Sequence, residues 1–225
     1  MPIAKETGDE RQHQEPIPAG NELAVCYSVI DLGTQWNPHF EKHARKVLIQ
    51  WEVPEYRIKI ERDGKELDLP RAISKQYTLS LHEKSNLRKD LEAWRGKGFT
   101  AEELAGFDVA NIAGHACMLQ IIHEAGRKDP SKVYAKIASV SSVPRQMQRP
   151  KPENPVQVFD IPDVGDINIP EPIPDWIKDI IKQSEEWKER KQADEAIADA
   201  GQSGTPAPSG SAFSDDAVGG DDLPF

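Results

Sequence analysis

Cationic residues recur in four segments of the middle of the chain, and aromatic residues accompany them in the first two. They are Trp36, Phe40, Lys42 and Arg45 in the first segment, Lys46, Trp51, Tyr56, Arg57 and Lys59 in the second, Arg71 and Lys75 in the third, and Arg127 and Lys128 in the fourth. Lysine and arginine side chains can follow a phosphate backbone, and exposed aromatic rings stack on bases of any sequence. These residues are therefore candidate contacts to a single-stranded nucleic acid.

The aromatic candidates differ in how well their neighbours fit that role. Trp51 alternates with Val47 and Ile49, so a place in the core and a stacking role both stay open. Tyr77 shares a face with Leu79, which favours the core. Trp36 lies in a polar stretch without an apolar pattern, so we favour it as a stacking ring.

No motif for catalysis is present in the sequence. It has no Walker-type glycine-rich loop, no Gly-x-Ser-x-Gly and no His-Glu-x-x-His. His115, Cys117 and His123 would share one face of a strand, but a metal site needs three or four converging ligands. At ~3.4 Å per residue the first and last of them would lie about 27 Å apart. We predict a protein that is not an enzyme and that has no metal and no cofactor.

The net charge of −10 at first argues against a polyanionic partner, but the charge is unevenly distributed. Residues 20–150 hold about 20 Lys and Arg and about 17 Asp and Glu, so most of the acidic excess lies in the flanks. A length of 225 residues accommodates one ordinary domain with tails. The split predicts a mildly basic domain with acidic arms.

Two features bear on the compartment. Cys26 and Cys117 each lie in an apolar run, which is typical of core thiols in a cytoplasmic protein. No apolar run has the length of a membrane span, and residues 1–14 are too polar for a signal peptide. We therefore predict a cytoplasmic protein without a membrane contact.

Hydrophobic periodicity predicts five strands and one helix in a domain over residues 21–144. The strands are predicted at 21–30, 46–53, 74–81, 116–123 and 133–140, with an extra hairpin inserted at 54–70. Leu87, Leu91 and Trp94 form a helical stripe between the third and fourth strands. This order predicts a mainly β fold, the five-stranded Greek-key barrel called the OB fold. Another small β-barrel or an open α+β sheet is the alternative.

The flanks of this domain have three compositions. Residues 1–20 are polar and predicted to be a disordered lead-in. Residues 145–174 are rich in proline and predict an extended strap, whose apolar residues should pack along the barrel. An amphipathic helix is predicted over 175–200. Its apolar face could dock on the chain's own barrel or contact a second copy or a partner, and both stay open.

The last segment, 201–225, is rich in Gly, Ser, Ala, Pro and Asp and is predicted to be disordered. It ends on Asp221-Asp222-Leu223-Pro224-Phe225, an acidic pair followed by apolar residues. This ending resembles the acidic tip of bacterial and phage single-stranded DNA-binding proteins. The resemblance implies a tip that recruits replication, recombination and repair enzymes, and a folded part that binds single-stranded DNA in a bacterial or phage-infected cell.

Three segments depart from the compact pattern of the bacterial proteins: the hairpin at 54–70, the strap and the helix. They favour a phage or prophage version, for which a homo-oligomer stays open. An OB fold binds across its second and third strands, between the loops that join strands 1–2 and 4–5, where the candidate residues fall. We therefore expect sequence-independent binding of single-stranded DNA. The alternative is an interaction adaptor on a small β-barrel that does not bind DNA.

Overall fold

The structure is a computed structural model that describes residues 15–38, 40–62, 64–126 and 129–202. Its strands are β1 (Gly20–Asn37), β2 (Lys42–Arg62), β3 (Lys65–Thr78), β4 (Ala116–Ala125), β5 (Val133–Ser141) and β6 (Gln157–Phe159). Its helices are α1 (Asn86–Arg95), α2 (Ala101–Ala105), α3 (Asp175–Ile181) and α4 (Glu185–Gln202), with a 3-10 turn at Val109–Ile112. The chain divides into two units, Met1–Glu189 and Arg190–Phe225. Of the second unit, the structure describes only α4 residues up to Gln202.

The five long strands form one curled antiparallel sheet, a half-barrel, in the order β3-β2-β1-β4-β5. The predicted mainly β class, the five strands and the helix between the third and fourth strands are confirmed. β1 is the central strand: its first third pairs with β4 and most of its length pairs with β2. The sheet therefore brings the β1–β2 hairpin end and the last residues of β3 close to one another.

The hairpin predicted at 54–70 forms, but it is not a separate insert. β2 and β3 continue through it as one long ladder. Pro54 does not end β2, because it lies in a register shift between Val53 and Arg57, where the ladder needs no N–H from proline. The third strand consequently begins at Lys65 rather than at Ser74.

The inner face of the sheet carries the main core. Alternate residues of each strand, such as Val29, Ile49 and Leu119, are buried there. α1 closes this core with Leu87, Leu91 and Trp94, which lie on one helix face at the spacing i, i+4, i+7. Each large side chain buried in this way contributes about 1.5–3 kcal/mol. Cys26 and Cys117 are buried in the same cluster, as predicted.

The outer face carries a second core under the strap. Its members come from the sheet, the strap and α3: Ile30, Leu32, Leu48, Phe159, Ile161, Ile173, Ile177 and Ile181. β6 pairs in parallel with Ser28–Ile30 of β1. The predicted packing of the strap along the sheet is confirmed, and the apolar face of α3 docks on the chain's own sheet.

A buried carboxylate fixes the start of the strap. Glu52 on the outer face of β2 has no exposed surface. It accepts hydrogen bonds from the backbone N–H of Glu153 at 2.6 Å and of Asn154 at 3.0 Å, and from the Asn154 side chain at 2.6 Å. A buried charge is costly unless it is hydrogen-bonded in this way. Glu52 therefore ties the strap to β2.

The helix predicted over 175–200 forms as two helices, α3 and α4. The break between them lets Ser184 lie close to Gly33 of β1. Gly33 has a φ of 71°. A Cβ on Gly33 would lie 2.6 Å from Cβ of Ser184 and 2.8 Å from Cδ1 of Ile161. Ser184 is buried, and its Oγ accepts the backbone N–H of Trp187 at 3.2 Å, which caps α4. Only glycine fits at position 33.

The predicted disorder of residues 1–20 is wrong for its last part. Ile17 is buried, and its carbonyl oxygen lies 2.9 Å from Nε2 of His123. Residues 1–14 and 203–225, on which the other disorder predictions fall, lie outside the described residues. Of the helices in the described part of the chain, none has the length and apolar character needed to cross a membrane.

Candidate nucleic-acid interface

A groove of about 710 Å³ lies between the β1–β2 hairpin end and the segment that follows β3. We call it the lysine groove. It is lined by Asn37, Phe40, Lys42, Lys46, Lys75, Gln76, Tyr77, Thr78, Ser80, His82, Lys84, Ser85 and Asn86. No Asp or Glu is among the described residues that line it. The groove can therefore accept an anion.

Lys42 and Lys46 lie four residues apart on β2 and so project from the same face. Lys46 lies opposite Thr78 of β3, and its Nζ donates a hydrogen bond to the Thr78 hydroxyl at 2.7 Å. Partial burial, and then the charge of Lys42, lower the pKa of Lys46. A phosphate in the groove would relieve this repulsion.

The wall of the groove next to α1 is held by hydrogen bonds to Asp90 of that helix. Nζ of Lys75 and the hydroxyl of Tyr77 both donate to Oδ2 of Asp90, each at 2.8 Å. The Tyr77 ring is in the core, as favoured from the sequence, and burial followed by the Asp90 charge raises the pKa of its hydroxyl. Lys75 lines the groove, but its charge is already balanced.

Sequence reasoning missed two residues of this groove, His82 and Lys84. Both are exposed and follow β3, and Nδ1 of His82 accepts the backbone N–H of Lys84 at 3.2 Å. The signal was available, since the polar stretch His82-Glu83-Lys84 stands between the third strand and the predicted cap Ser85. Because β3 runs antiparallel to β2, the segment that follows β3 lies near the β1–β2 hairpin end, and Lys84 faces that end across the groove.

Two aromatic rings stand exposed at the β1–β2 hairpin end. The side chains of Trp36 and Phe40 are 52% and 63% exposed. The Trp36 ring lies 4.9 Å from that of His43, its cross-strand partner, and Nζ of Lys42 lies 5.6 Å from the Phe40 ring centre. A ring beside an ammonium group, as at Phe40, combines base stacking with phosphate contact. The imidazole beside Trp36 is instead paired with Glu185, whose Oε1 lies 2.8 Å from Nδ1 of His43.

Arg45, predicted as a DNA contact, is held by carboxylates. Its Nη2 lies 2.6 Å from Oδ2 of the buried Asp31 and 3.3 Å from Oδ1 of Asp160 on the strap. The Asp31 hydrogen bond, opposed by burial, raises the pKa of Arg45. This arginine lines a second groove of about 530 Å³, in whose wall Asp108 and Asp163 also lie. That groove carries too many acids to receive phosphate.

The cations of the long β2–β3 hairpin are also paired. Nη1 of Arg57 donates to both carboxylate oxygens of Glu153 at 2.8 Å, and its Nη2 donates to the carbonyl of Asp68 at 2.8 Å. Lys59 pairs with Glu66 at 2.8 Å.

The remaining predicted residues lie apart from the lysine groove. The hydroxyl of Tyr56 donates to Oε1 of Glu22 at 3.1 Å, and Arg71 is half-buried opposite Val53.

Trp51 is the clearest error among the predicted contacts. It has no exposed surface, and its ring lies 6.0 Å from that of Trp94 in the core. The stacking interpretation of Trp51 is therefore wrong, and the core alternative is right. Arg127, Lys128 and the five tip residues lie outside the described residues.

The geometry has to carry the functional argument. Comparisons with protein-family models, with curated proteins and with solved structures find no match to this chain. Within residues 15–38, 40–62, 64–126 and 129–202, no group of His, Cys, Asp and Glu could hold a metal ion. The feature that stands out in these ranges is the lysine groove, with Phe40 in its lining and Trp36 at the same hairpin end.

Proposed function

We propose that this protein binds single-stranded DNA without reading its sequence, in replication and recombination. In this proposal the phosphates follow Lys42, Lys46 and Lys84 along the lysine groove, and bases stack on Trp36 and Phe40. The observation that carries it is a groove lined by lysines without a lining carboxylate among the described residues, with the exposed ring of Phe40 in its lining and a second exposed ring, Trp36, at the same hairpin end. Cation tracking and ring stacking are the two requirements for such binding.

We further assign the half-barrel to the OB fold as part of the proposal. The strand order and the helix between β3 and β4 support this assignment. The strap covers the outer face of β2 around Leu48 and Glu52, so a short strand of DNA keeps to the hairpin end, and only a longer strand extends past the strap. Asp221–Phe225 recruits partner enzymes, a role that rests on its resemblance to the bacterial tip.

Tryptophan fluorescence tests the proposal. Titration with oligo-dT at low salt should quench the protein's emission, because a base stacked on Trp36 quenches the exposed ring. Trp36→Leu should lose most of this quenching. Trp176→Leu is the matched control, since Trp176 is 51% exposed on α3 and should not contact DNA. An absence of salt-sensitive quenching in the natural protein would contradict the proposal.

A further inference from the structure

We propose that the Glu153 carboxylate on the strap competes with DNA phosphates for Arg57, so that Arg57 contacts DNA only when Glu153 is displaced. This inference rests on the proposed function. Nη1 of Arg57 donates to both oxygens of Glu153 at 2.8 Å, and charge-assisted hydrogen bonds of this kind are also the ones that a guanidinium makes to a phosphate group. The strap thus places a carboxylate where a DNA phosphate would otherwise lie.

The exposure of the partners distinguishes Arg57 from Arg45. The side chains of Glu153 and Asp68, which face Arg57, are 45% and 55% exposed. Exposed pairs are weak and are exchanged readily for another anion. Asp31, which faces Arg45, is only 6% exposed and is held in place. Arg57 can therefore change partner, whereas Arg45 stays with Asp31.

The strap does not need to leave the sheet for this exchange. The backbone N–H of Glu153 donates to the buried Glu52, and Asn154 donates to the same carboxylate. Only the Glu153 side chain has to swing into solvent. Neutralising this side chain should consequently release Nη1 of Arg57 for a phosphate, while the contacts of Arg57 to Asp68 remain and the strap stays folded.

The distance between Arg57 and the lysine groove predicts which length of DNA can contact Arg57. Arg57 lies eleven positions along β2 from Lys46, a span of at most about 36 Å at ~3.3 Å per residue. A short oligonucleotide in the lysine groove does not reach Arg57, whereas a longer one does.

Anisotropy titrations of the full chain with labelled oligo-dT of about 4 and about 16 nucleotides, the range of site sizes for one OB fold, test the inference. Glu153→Gln should raise the low-salt affinity for the longer oligonucleotide about threefold to tenfold and steepen its salt dependence by about 0.7. Affinity for the shorter one should not change. Arg57→Gln added to Glu153→Gln should restore the natural values.

Asp160→Asn is the matched control, because it removes a strap charge while Asp31 still holds Arg45. An equal gain in this control would overturn the inference, since the effect would then be one of overall charge. Unchanged values in Glu153→Gln, with normal binding by the natural protein, would overturn it and leave the proposed function standing. Absence of binding by the natural protein would remove both.

Discussion

The lysine groove and the strap-covered side of the sheet carry similar numbers of predicted cations, but in different surroundings. In the groove, Lys42 and Lys46 repel each other, and the described lining residues include no acid. On the strap side, Arg45 and Arg57 each face two carboxylates. The type of a cationic residue therefore predicts what it can bind, while its neighbours decide whether it is available.

The two sides also differ in how they are built. The strap side depends on a close-packed junction at Gly33, Ile161 and Ser184, whereas the groove is open to solvent at the hairpin end. Stability should therefore reside on the strap side and binding on the groove side. The predictions below test this division.

Gly33→Ala should give the largest effect. The new Cβ would clash with Ser184 in addition to the strain of a positive φ, so the free energy of unfolding should fall by about 2–4 kcal/mol. Gly64→Ala is the matched control: its φ is 69° and no atom lies within 4 Å, so it should cost about 1 kcal/mol. Urea unfolding measures both. Equal losses would show that the junction is not tightly packed.

Phe40→Ala should weaken DNA binding and leave stability unchanged. Loss of one stacked base costs about 1–3 kcal/mol of binding free energy, or roughly tenfold or more in affinity. Val164→Ala removes an exposed apolar side chain from the strap and serves as the control. Anisotropy titration with oligo-dT would contradict the assignment if both variants bound equally well.

Arg45→Gln should show the opposite pattern. It leaves the buried Asp31 without its cation, but the arginine is 35% exposed, so the loss of stability should be discounted to about 1–2 kcal/mol. Its salt dependence of DNA binding should equal that of the natural protein. A reduced salt dependence would show that Arg45 contacts DNA.

The smallest effect should come from Glu186 at acidic pH. Burial would raise its pKa, but hydrogen bonds from the backbone N–H and hydroxyl of Thr34, at 2.8 and 2.7 Å, lower it overall. Because the folded pKa lies below the ordinary value, this contribution is present above about pH 4.5 and is lost as the pH falls through the lowered pKa. Thermal unfolding should show a contribution of about 0.5 kcal/mol at neutral pH that Glu186→Gln lacks. Identical pH profiles would contradict it.

Local patterns predicted much of this fold. The change from alternation to the spacing of Leu87, Leu91 and Trp94 located α1, because periodicity reports which face is buried. The continuation of β2 past Pro54 was missed, since a proline in a register shift looks the same in sequence as one that ends a strand. The need for glycine at position 33 could not be predicted, because it arises from contact with Ser184, which lies far away along the chain.

The site was predictable only in its residue types. Trp36 and Phe40 could be predicted to be exposed because no apolar pattern surrounds them. The pairing of Arg57 with Glu153 could not be predicted, because Glu153 is 96 positions away along the chain. Trp51 alternates with core residues, so its sequence pattern fitted two roles and burial decided between them.

The most direct measurement is the salt dependence of oligo-dT affinity for the natural protein and for Lys42→Gln/Lys46→Gln, with Lys65→Gln as a control on the exposed start of β3. If these lysines contact phosphates, the double variant should reduce the slope of log affinity against log salt by about 1.4, at about 0.7 for each contact to a single strand. The control should keep the natural slope. An unchanged slope in the double variant would contradict the account.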